Sequence, residues 1–421
     1  MRNGVERLVD GDQGLIDRRI FVDKDIYEHE QEQIFAKCWL FIGHECQIPN
    51  PGDYVTTYMG EDPVILWRDL GGKIRAFLNM CRHRGNRICR SDGGNAKSLM
   101  CSYHGWTYDC QGKLTSVPGL KEVYYDELDT KNLSLVEVAQ LDTLKGLVFA
   151  TFDPAAAPLR EYLGHMAWYL DMLLDKRAGG TELVGGVHKW VMDANWKFPA
   201  DNFVGDLYHG VVSHGSAMKA GFMGMPRRNL GYGYKGYQIC AGNGHGLGAR
   251  WADTPEEMIA MALPEFQDYE RQRLPEAEQR LGAIRAWKTI GIHGTVFPNM
   301  SVLWASGSIR LWMPRGPNKT EIWSWCIVDK AAPTHIKREM TLHELHRHGP
   351  AGTWEADDMD NWIQSSAAGL GRVSRRYPVN MQMGLGHEAD HPDLPGKVGA
   401  IQAEINQRAF YSRWAELMGA H

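Results

Sequence analysis

The sequence predicts an α+β protein in which a small antiparallel β domain is set into a larger domain of helices on an antiparallel sheet. Three observations carry that expectation. Short runs rich in Val, Ile, Thr and aromatics crowd residues 53–80 and return at 146–152, with no long helical period between them. The stretch Asp153-Pro154-Ala155-Ala156-Ala157-Pro158 then reads as an exit linker. Beyond it, amphipathic helical segments and strand-like runs come in groups rather than in strict alternation, which favours α+β over a parallel α/β sheet. The boundaries read this way are 38–157 for the small domain, with 1–37 and 158–421 forming the larger one. A chain of 421 residues is long enough for about two or three domains with substantial cores.

From the N-terminus, residues 23–39 have helical periodicity, with Ile26, Tyr27, Ile34 and Phe35 on one face. Strands are expected at 53–58, 63–68 and 74–80, the last two joined by Leu70-Gly71-Gly72. The run Ser91-Asp92-Gly93-Gly94-Asn95 reads as a turn, and 146–152 as a further strand. After the linker, 159–176 reads as an amphipathic helix and 182–192 as a strand. Residues 215–250 hold Gly221, Gly224, Gly231, Gly233, Gly242, Gly244, Gly246 and Gly248, and are expected to be mobile loops at a pocket mouth. Helices are expected at 254–262 and 264–289, and sheet strands at 295–304, 308–313 and 321–328. The tail carries helices at 334–348, from about Glu355, and near 400–418.

Composition narrows the function. Against 46 Lys plus Arg stand 51 Asp plus Glu, a mildly acidic balance that argues against a nucleic-acid binder. The longest apolar runs, such as Gly146-Leu147-Val148-Phe149-Ala150, are far too short to span a bilayer, and the charged start lacks an apolar signal region. A cytoplasmic location with no membrane attachment is expected. Six of the eight cysteines show no regular spacing, as suits free thiols in a reducing compartment.

The other two cysteines belong to a pattern. Cys81-Arg82-His83 is followed after seventeen residues by Cys101-Ser102-Tyr103-His104, so two loops each offer one Cys and one His. A zinc site usually pairs Cys with Cys at C-x2-4-C, which C-x-H does not match. A [2Fe–2S] cluster with two thiolates on one iron and two imidazoles on the other needs this set, and Gly85, Gly105, Tyr103, Trp106 and Tyr108 suit tight loops in an apolar shell. The C-x-H-x17-C-x2-H pattern resembles the Rieske domain of bacterial ring-hydroxylating oxygenases.

A second constellation runs from Asn202 through Asp206 and His209 to His214. In an α-helix, side chains five apart lie about 140° round the axis, so both His rings meet one metal only if the helix is distorted, which Gly205 and Gly210 make easier. A non-haem Fe(II) centre of two His and one carboxylate keeps neighbouring positions open for O2. The carboxylate must come from elsewhere. The acidic run at Glu355, Asp357, Asp358 and Asp360 is a candidate, though spacing does not choose among the four.

The stretch 202–214 resembles the mononuclear iron motif of the same oxygenases, nearest to naphthalene- and biphenyl-type dioxygenase large subunits. The resemblance implies a Rieske [2Fe–2S] cluster on Cys81, His83, Cys101 and His104, and Fe(II) on His209, His214 and Asp358, with Asp357 as a capping residue. It implies a helix-grip catalytic domain that hydroxylates an aromatic ring, most typically to a cis-dihydrodiol. Electrons would come from an NAD(P)H-dependent reductase and a ferredoxin, and a small beta subunit would complete an α3β3 assembly. Asn202 and Asp206 would be catalytic, with Asp206 joining His209 to His104 of a neighbouring subunit. Phe203, Gly210, His293, Leu303 and His348 would line the substrate pocket beside Asn202. His348 stands where the naphthalene-type family carries Phe, a departure that suits a polar group on the substrate and keeps monohydroxylation of an aromatic acid such as salicylate as an alternative. An electron carrier without chemistry of its own is a further reading, but it has no use for a two-His-one-carboxylate set. The basic loop of Arg82, Arg84, Arg87 and Arg90 is a candidate dock for an acidic electron donor.

Overall fold

A computed structural model describes residues 4–220 and 232–420. The chain divides into two compact units, one spanning Phe35–Leu159 and the other comprising Met1–Ile34 and Arg160–His421.

The smaller unit is built from three antiparallel sheets. The first joins β1 (Leu40–His44) to a hairpin. The second holds β2 (Asp53–Met59), β3 (Asp62–Arg68) and β4 (Ile74–Leu78), with β5 (Gly93–Asn95) added beside β2. A third, of β6 (Ser98–Met100), β7 (Thr107–Asp109) and β8 (Leu114–Ser116), carries the second cysteine loop between its first two strands. The hairpin beside β1 is β9 (Gln140–Leu144) and β10 (Leu147–Thr151), whose residues are all buried. The expected turn at 91–95 is in part a strand, because Gly93 and Gly94 lie so close to Tyr54 that a side chain would have no room. Cys81 and Cys101 lie in this unit's apolar core with Phe77, Ile88, Trp106 and Tyr108.

In the larger unit, α1 (Lys24–Glu30) runs into a π-turn at Gln31–Phe35, so the expected helix over 23–39 stops early. The helix expected over 159–176 is two, α2 (Leu159–Leu163) and α3 (Met166–Leu174), separated at Gly164, which has φ +49°. A nine-stranded antiparallel sheet follows. Its strands are β11 (Thr181–Met192), β12 (Gly236–Gly242), β13 (His245–Trp251), β14 (Thr289–Val296), β15 (Met300–Leu303), β16 (Ser308–Pro314), β17 (Thr320–Asp329), β18 (Ala389–His391) and β19 (Leu394–Ala400), in the order β11-β17-β16-β15-β14-β13-β12-β19-β18.

Two expectations fail here for physical reasons. The run 295–304 is not one strand: the chain reverses at Phe297-Pro298-Asn299, and β14 pairs back on β15. Nor are residues 236–250 loops. Gly242, Gly244, Gly246 and Gly248 belong to the β12–β13 hairpin in mid-sheet, where Gly246 packs against Asn406 and Gly248 against Leu207 at distances that exclude a Cβ. Glycine there allows close approach rather than motion. Gly221, Gly224 and Gly231 lie outside the described residues.

Around this sheet are α4 (Lys197–Phe203), α5 (Gly215–Ala220), α6 (Pro255–Met261), α7 (Pro264–Ala283), α8 (Thr334–His348), α9 (Thr353–Gly369) and α10 (Ile405–Gly419). Helix α9 buries Glu355, Asp358, Trp362, Ser366 and Gly369, a stripe at helical spacing that is polar where it reaches the interior. No helix among the described residues is long and apolar enough to cross a membrane.

Candidate metal centres

The two cysteine loops of the smaller unit repeat one turn. The N–H of Gly85 donates to the carbonyl of Cys81, and that of Gly105 to Cys101, both at 2.9 Å; the glycines have φ of +73° and +76°. The N–H of each cysteine in turn donates to the residue beyond the glycine, Asn86 or Trp106. The loops therefore present Cys81 and Cys101 alike and bring His83 and His104 to 4.4 Å between ring centroids, edge to face. Trp106 stacks on His83 at 4.9 Å and 8°.

The surroundings suit a thiolate at Cys101 and a neutral imidazole at His83. Tyr108 Oη accepts the Arg82 N–H at 3.1 Å, which leaves its own proton for Cys81 Sγ at 3.5 Å. Burial alone would raise the Cys101 thiol, but the Tyr103 N–H and the Asn86 amide outweigh it and draw the group below its ordinary value. Burial, with His104 beside it, lowers His83, whose Nδ1 is buried without a partner. Two buried cysteine sulfurs on matching turns and an unpartnered imidazole nitrogen fit the donor set of a Rieske cluster. Of the basic loop, Arg84, Arg87 and Arg90 are exposed, while Arg82 bonds the carbonyl of Ser134.

The second centre starts where α4 ends. His293 and Thr295, alternate residues on one face of β14, bond the carbonyls of Phe203 and Ala200 and fix the end of that helix. The next carbonyls do not continue it: Val204 is held by Asn406 and Gly205 by Gln238. Gly205, at φ +147°, passes so near Gln238 and Asn406 that no side chain fits. Asp206 Oδ1 then accepts the N–H groups of Tyr208 and His209 and starts a single 3₁₀ turn, His209–Val211. His209 and His214 thus lie on an irregular segment, and their Nε2 atoms approach to 3.2 Å.

Each ring is oriented by a carboxylate. His209 Nδ1 faces Asp206 Oδ2 at 3.2 Å, with Asn202 Nδ2 at 3.3 Å, and His214 Nδ1 faces Asp357 Oδ2 at 3.2 Å. With the proton on Nδ1, each Nε2 turns a lone pair to the other, a repulsive arrangement unless a cation lies between them. Asp358 Oδ1 completes the set at 3.4 Å and 3.3 Å from the two Nε2 atoms, and it is buried without a hydrogen-bond partner. Ligand atoms bound side by side to one first-row metal ion sit about 3 Å apart, so this orphaned oxygen and the two imidazoles fit a metal. Burial disfavours charge on His209, yet Asp206 and Asp358 outweigh it and hold this imidazole well above its ordinary value, evidence of a potential that attracts a cation.

Asp357 does not cap α9, which begins at Thr353; its carboxylate orients His214 instead. Spacing hid this because adjacent helix residues point about 100° apart, and only the fold brings both acids to the same imidazole. Sequence reasoning also missed Arg310, which is fully buried and bonds Glu355 and the carbonyl of His348. A lone Arg inside the apolar run of β16 was the available signal.

A cavity of about 320 Å³ opens beside this centre, lined by Asn202, Phe203, Asp206, Gly210, His293, Leu303 and His348 along with the three metal-facing residues. His293 and Leu303 are cross-strand neighbours on β14 and β15, which puts both on this wall. Burial, reinforced by His209, pushes His293 down to about 4, so it is neutral near pH 7. Burial and the nearby Arg310 likewise hold His348 well below its ordinary value.

Comparison with known proteins finds relatives over nearly the whole chain. Residues 159–420 match the family described as ring hydroxylating alpha subunit (catalytic domain), and 38–137 match the Rieske [2Fe-2S] domain. The chain is 43% identical over 430 residues to biphenyl dioxygenase subunit alpha of Metapseudomonas furukawaii, covering 98% of this chain and 93% of that one. It is 42% identical over 422 residues to benzene 1,2-dioxygenase subunit alpha of Pseudomonas putida, with the same coverage. The structure of naphthalene 1,2-dioxygenase with indole in its active site superposes with a TM-score of 0.90 at 37% identity, over 98% of this chain and 94% of that one.

Proposed function

The chain belongs to the family of ring-hydroxylating alpha subunits, and on that premise we propose that it is the large subunit of a terminal oxygenase that cis-dihydroxylates an aromatic ring. The observation that carries this reading is the unpartnered carboxylate oxygen of Asp358, converging with two imidazole nitrogens beside a largely apolar cavity. In the balance of the reaction, one O2, two electrons and two protons add to the arene. Two C–O bonds form on adjacent carbons, and NAD(P)H is oxidised through a reductase and a ferredoxin.

Cys81, His83, Cys101 and His104 would hold the cluster, and His209, His214 and Asp358 the Fe(II). When bound, the cluster supplies electrons one at a time and the iron supplies a place for O2 to be activated. Asp206 and Asp357 keep the two imidazoles in the tautomer that frees Nε2. Asn202 donates toward Asp206 at 3.4 Å and steadies it. Phe203, with Trp312 and Trp362 packed on its ring, gives the cavity a rigid apolar wall for a flat substrate.

The side chain of Asp206 keeps 29% of its surface exposed, which supports its reaching a Rieske histidine of a neighbouring subunit in an α3β3 assembly with a small beta subunit. None of the eight cysteines is in a disulfide, in keeping with the cytoplasm. The named relatives are dioxygenases, which favours dihydroxylation over the monohydroxylating alternative.

The test supplies the purified oxygenase with ferredoxin, reductase, NADH and a panel of naphthalene, biphenyl and 2-naphthoate under ¹⁸O2. A diol carrying both atoms of one O2 is expected. A singly labelled product, or none from protein with its full complement of iron, overturns the proposal.

A further inference from the structure

Where α8 meets α9, the cavity wall becomes polar in a way that a hydrocarbon does not use. Arg347, in the last turn of α8, is 7% exposed, and its Nε and Nη2 have no hydrogen-bond partner among the described residues. Beside it, Nδ1 of His348 and Nε1 of Trp354 are buried and equally unpartnered. Glu265, whose charge reaches Arg347, is already bonded to His343 Nε2. Arg310 makes the contrast, since Glu355 and the His348 carbonyl meet it directly.

A second element adds to this corner. Met340 of α8 packs against Gly307 in the turn between β15 and β16, and the same turn contributes Trp304 Nε1 and Ser306 Oγ, both buried without partners. Trp304, Ser306, Met340, Arg347, His348 and Trp354 all line the cavity. The unpartnered atoms are mostly donors: guanidinium and indole N–H groups and a hydroxyl. Burying a guanidinium with no acceptor is unfavourable, so the wall is complete only when the acceptor arrives with the ligand.

We propose that this corner is a carboxylate subsite, with Arg347 as its cation, and that the substrates are aromatic carboxylates rather than plain hydrocarbons. The inference rests on the ring-oxidising reading above and names its substrate class. A guanidinium presents a planar fork that matches a carboxylate through two parallel hydrogen bonds. Trp354 sets the spacing. Its ring stacks on the metal-facing His214 at 5.0 Å and 15°, and the Arg347 guanidinium lies 5.4 Å from the same ring. One indole thus borders both the imidazole and the guanidinium, which lie no farther apart than the sum of these two distances, within the reach of one or two fused rings. His348, neutral in this surrounding, contributes a ring nitrogen rather than a charge.

The test is calorimetric titration of the iron-loaded, anaerobic protein with 2-naphthoate and with naphthalene. Wild type should bind the carboxylate at least about 10-fold more tightly. Arg347→Gln should weaken 2-naphthoate by about 10- to 100-fold and leave naphthalene unchanged, because a hydrogen bond to a charged group is lost and no apolar contact is. Arg347→Lys should fall between, keeping the charge and losing the fork. Equal affinity of wild type for the two ligands overturns the subsite, as does an Arg347→Gln variant that weakens both alike. The wild-type comparison decides even if a variant does not fold. Turnover of naphthalene in parallel separates the two readings: a diol without carboxylate preference removes the subsite alone, whereas preference without any oxygenated product removes the oxygenase reading.

Discussion

In the smaller unit, Cys81 and Cys101 each head a five-residue turn closed by a glycine four positions on; in the larger unit, His209, His214 and Asp358 come from a helix-breaking segment and from the second turn of a distant helix. The first centre is local. Its donors lie in two copies of one backbone turn, so spacing in the chain nearly dictates spacing in space. The second is tertiary, since its geometry depends on Gln238 and Asn406 pulling two carbonyls away from α4 and on Arg310 anchoring the start of α9. A local site survives errors elsewhere in the fold, whereas a tertiary one reports them. The two should therefore fail independently and differ in what breaks them.

The largest expected effect comes from removing one ligand from each. His104→Ala should abolish the cluster's visible absorption and paramagnetic signal while mononuclear iron remains, and Asp358→Ala should do the reverse. Metal analysis with spectroscopy of both variants checks this, and loss of both centres in either one would refute their independence. A smaller effect is expected for Asp206→Asn, which keeps the shape and loses the charge that orients His209. Both metals should remain and product formation should fall by about 10². Single-turnover reoxidation of the reduced cluster, with substrate and O2 present, follows it directly; a parent-like rate would limit Asp206 to starting the 3₁₀ turn. The smallest is Tyr108→Phe. Losing a hydrogen bond to Cys81 should lower the cluster potential with its spectrum otherwise kept, a shift that potentiometric titration reads.

Legibility in the sequence followed the same division. The cysteine turns could be read from Gly85 and Gly105 at matching offsets, and the strands of the smaller unit from their β-branched runs, because in both the determining contacts are near in sequence. The Gly-rich stretch at 236–248 was misread, since glycine signals a loop unless one knows that Asn406 and Leu207 press against it from other elements. The bend at Phe297-Pro298 hid a hairpin inside an apolar run. At the metal site the residue types were visible but their partners were not. Asp357 and Asp358 are alike as sequence, and only the fold turns one to the Nδ1 of His214 and the other to its Nε2. Arg347 gave no signal in a tail rich in basic residues. Its meaning lies in the acceptors it lacks, which is a property of surroundings.

Helix α9 engages neighbours on several sides. Glu355 meets Arg310, Asp357 and Asp358 meet the imidazoles, Met359 accepts the Trp190 indole N–H, Asn361 reaches Ser213, and Ser366 accepts the Asn195 N–H. One inserted or deleted residue turns everything beyond it by about 100° and slides it by about 1.5 Å, so these contacts would be lost together rather than singly. Lineages descending from such a protein can therefore diversify α9 by substitution, one contact at a time, but not by a change of length. Insertions that reshape the cavity would have to accumulate in the connections on either side of this helix.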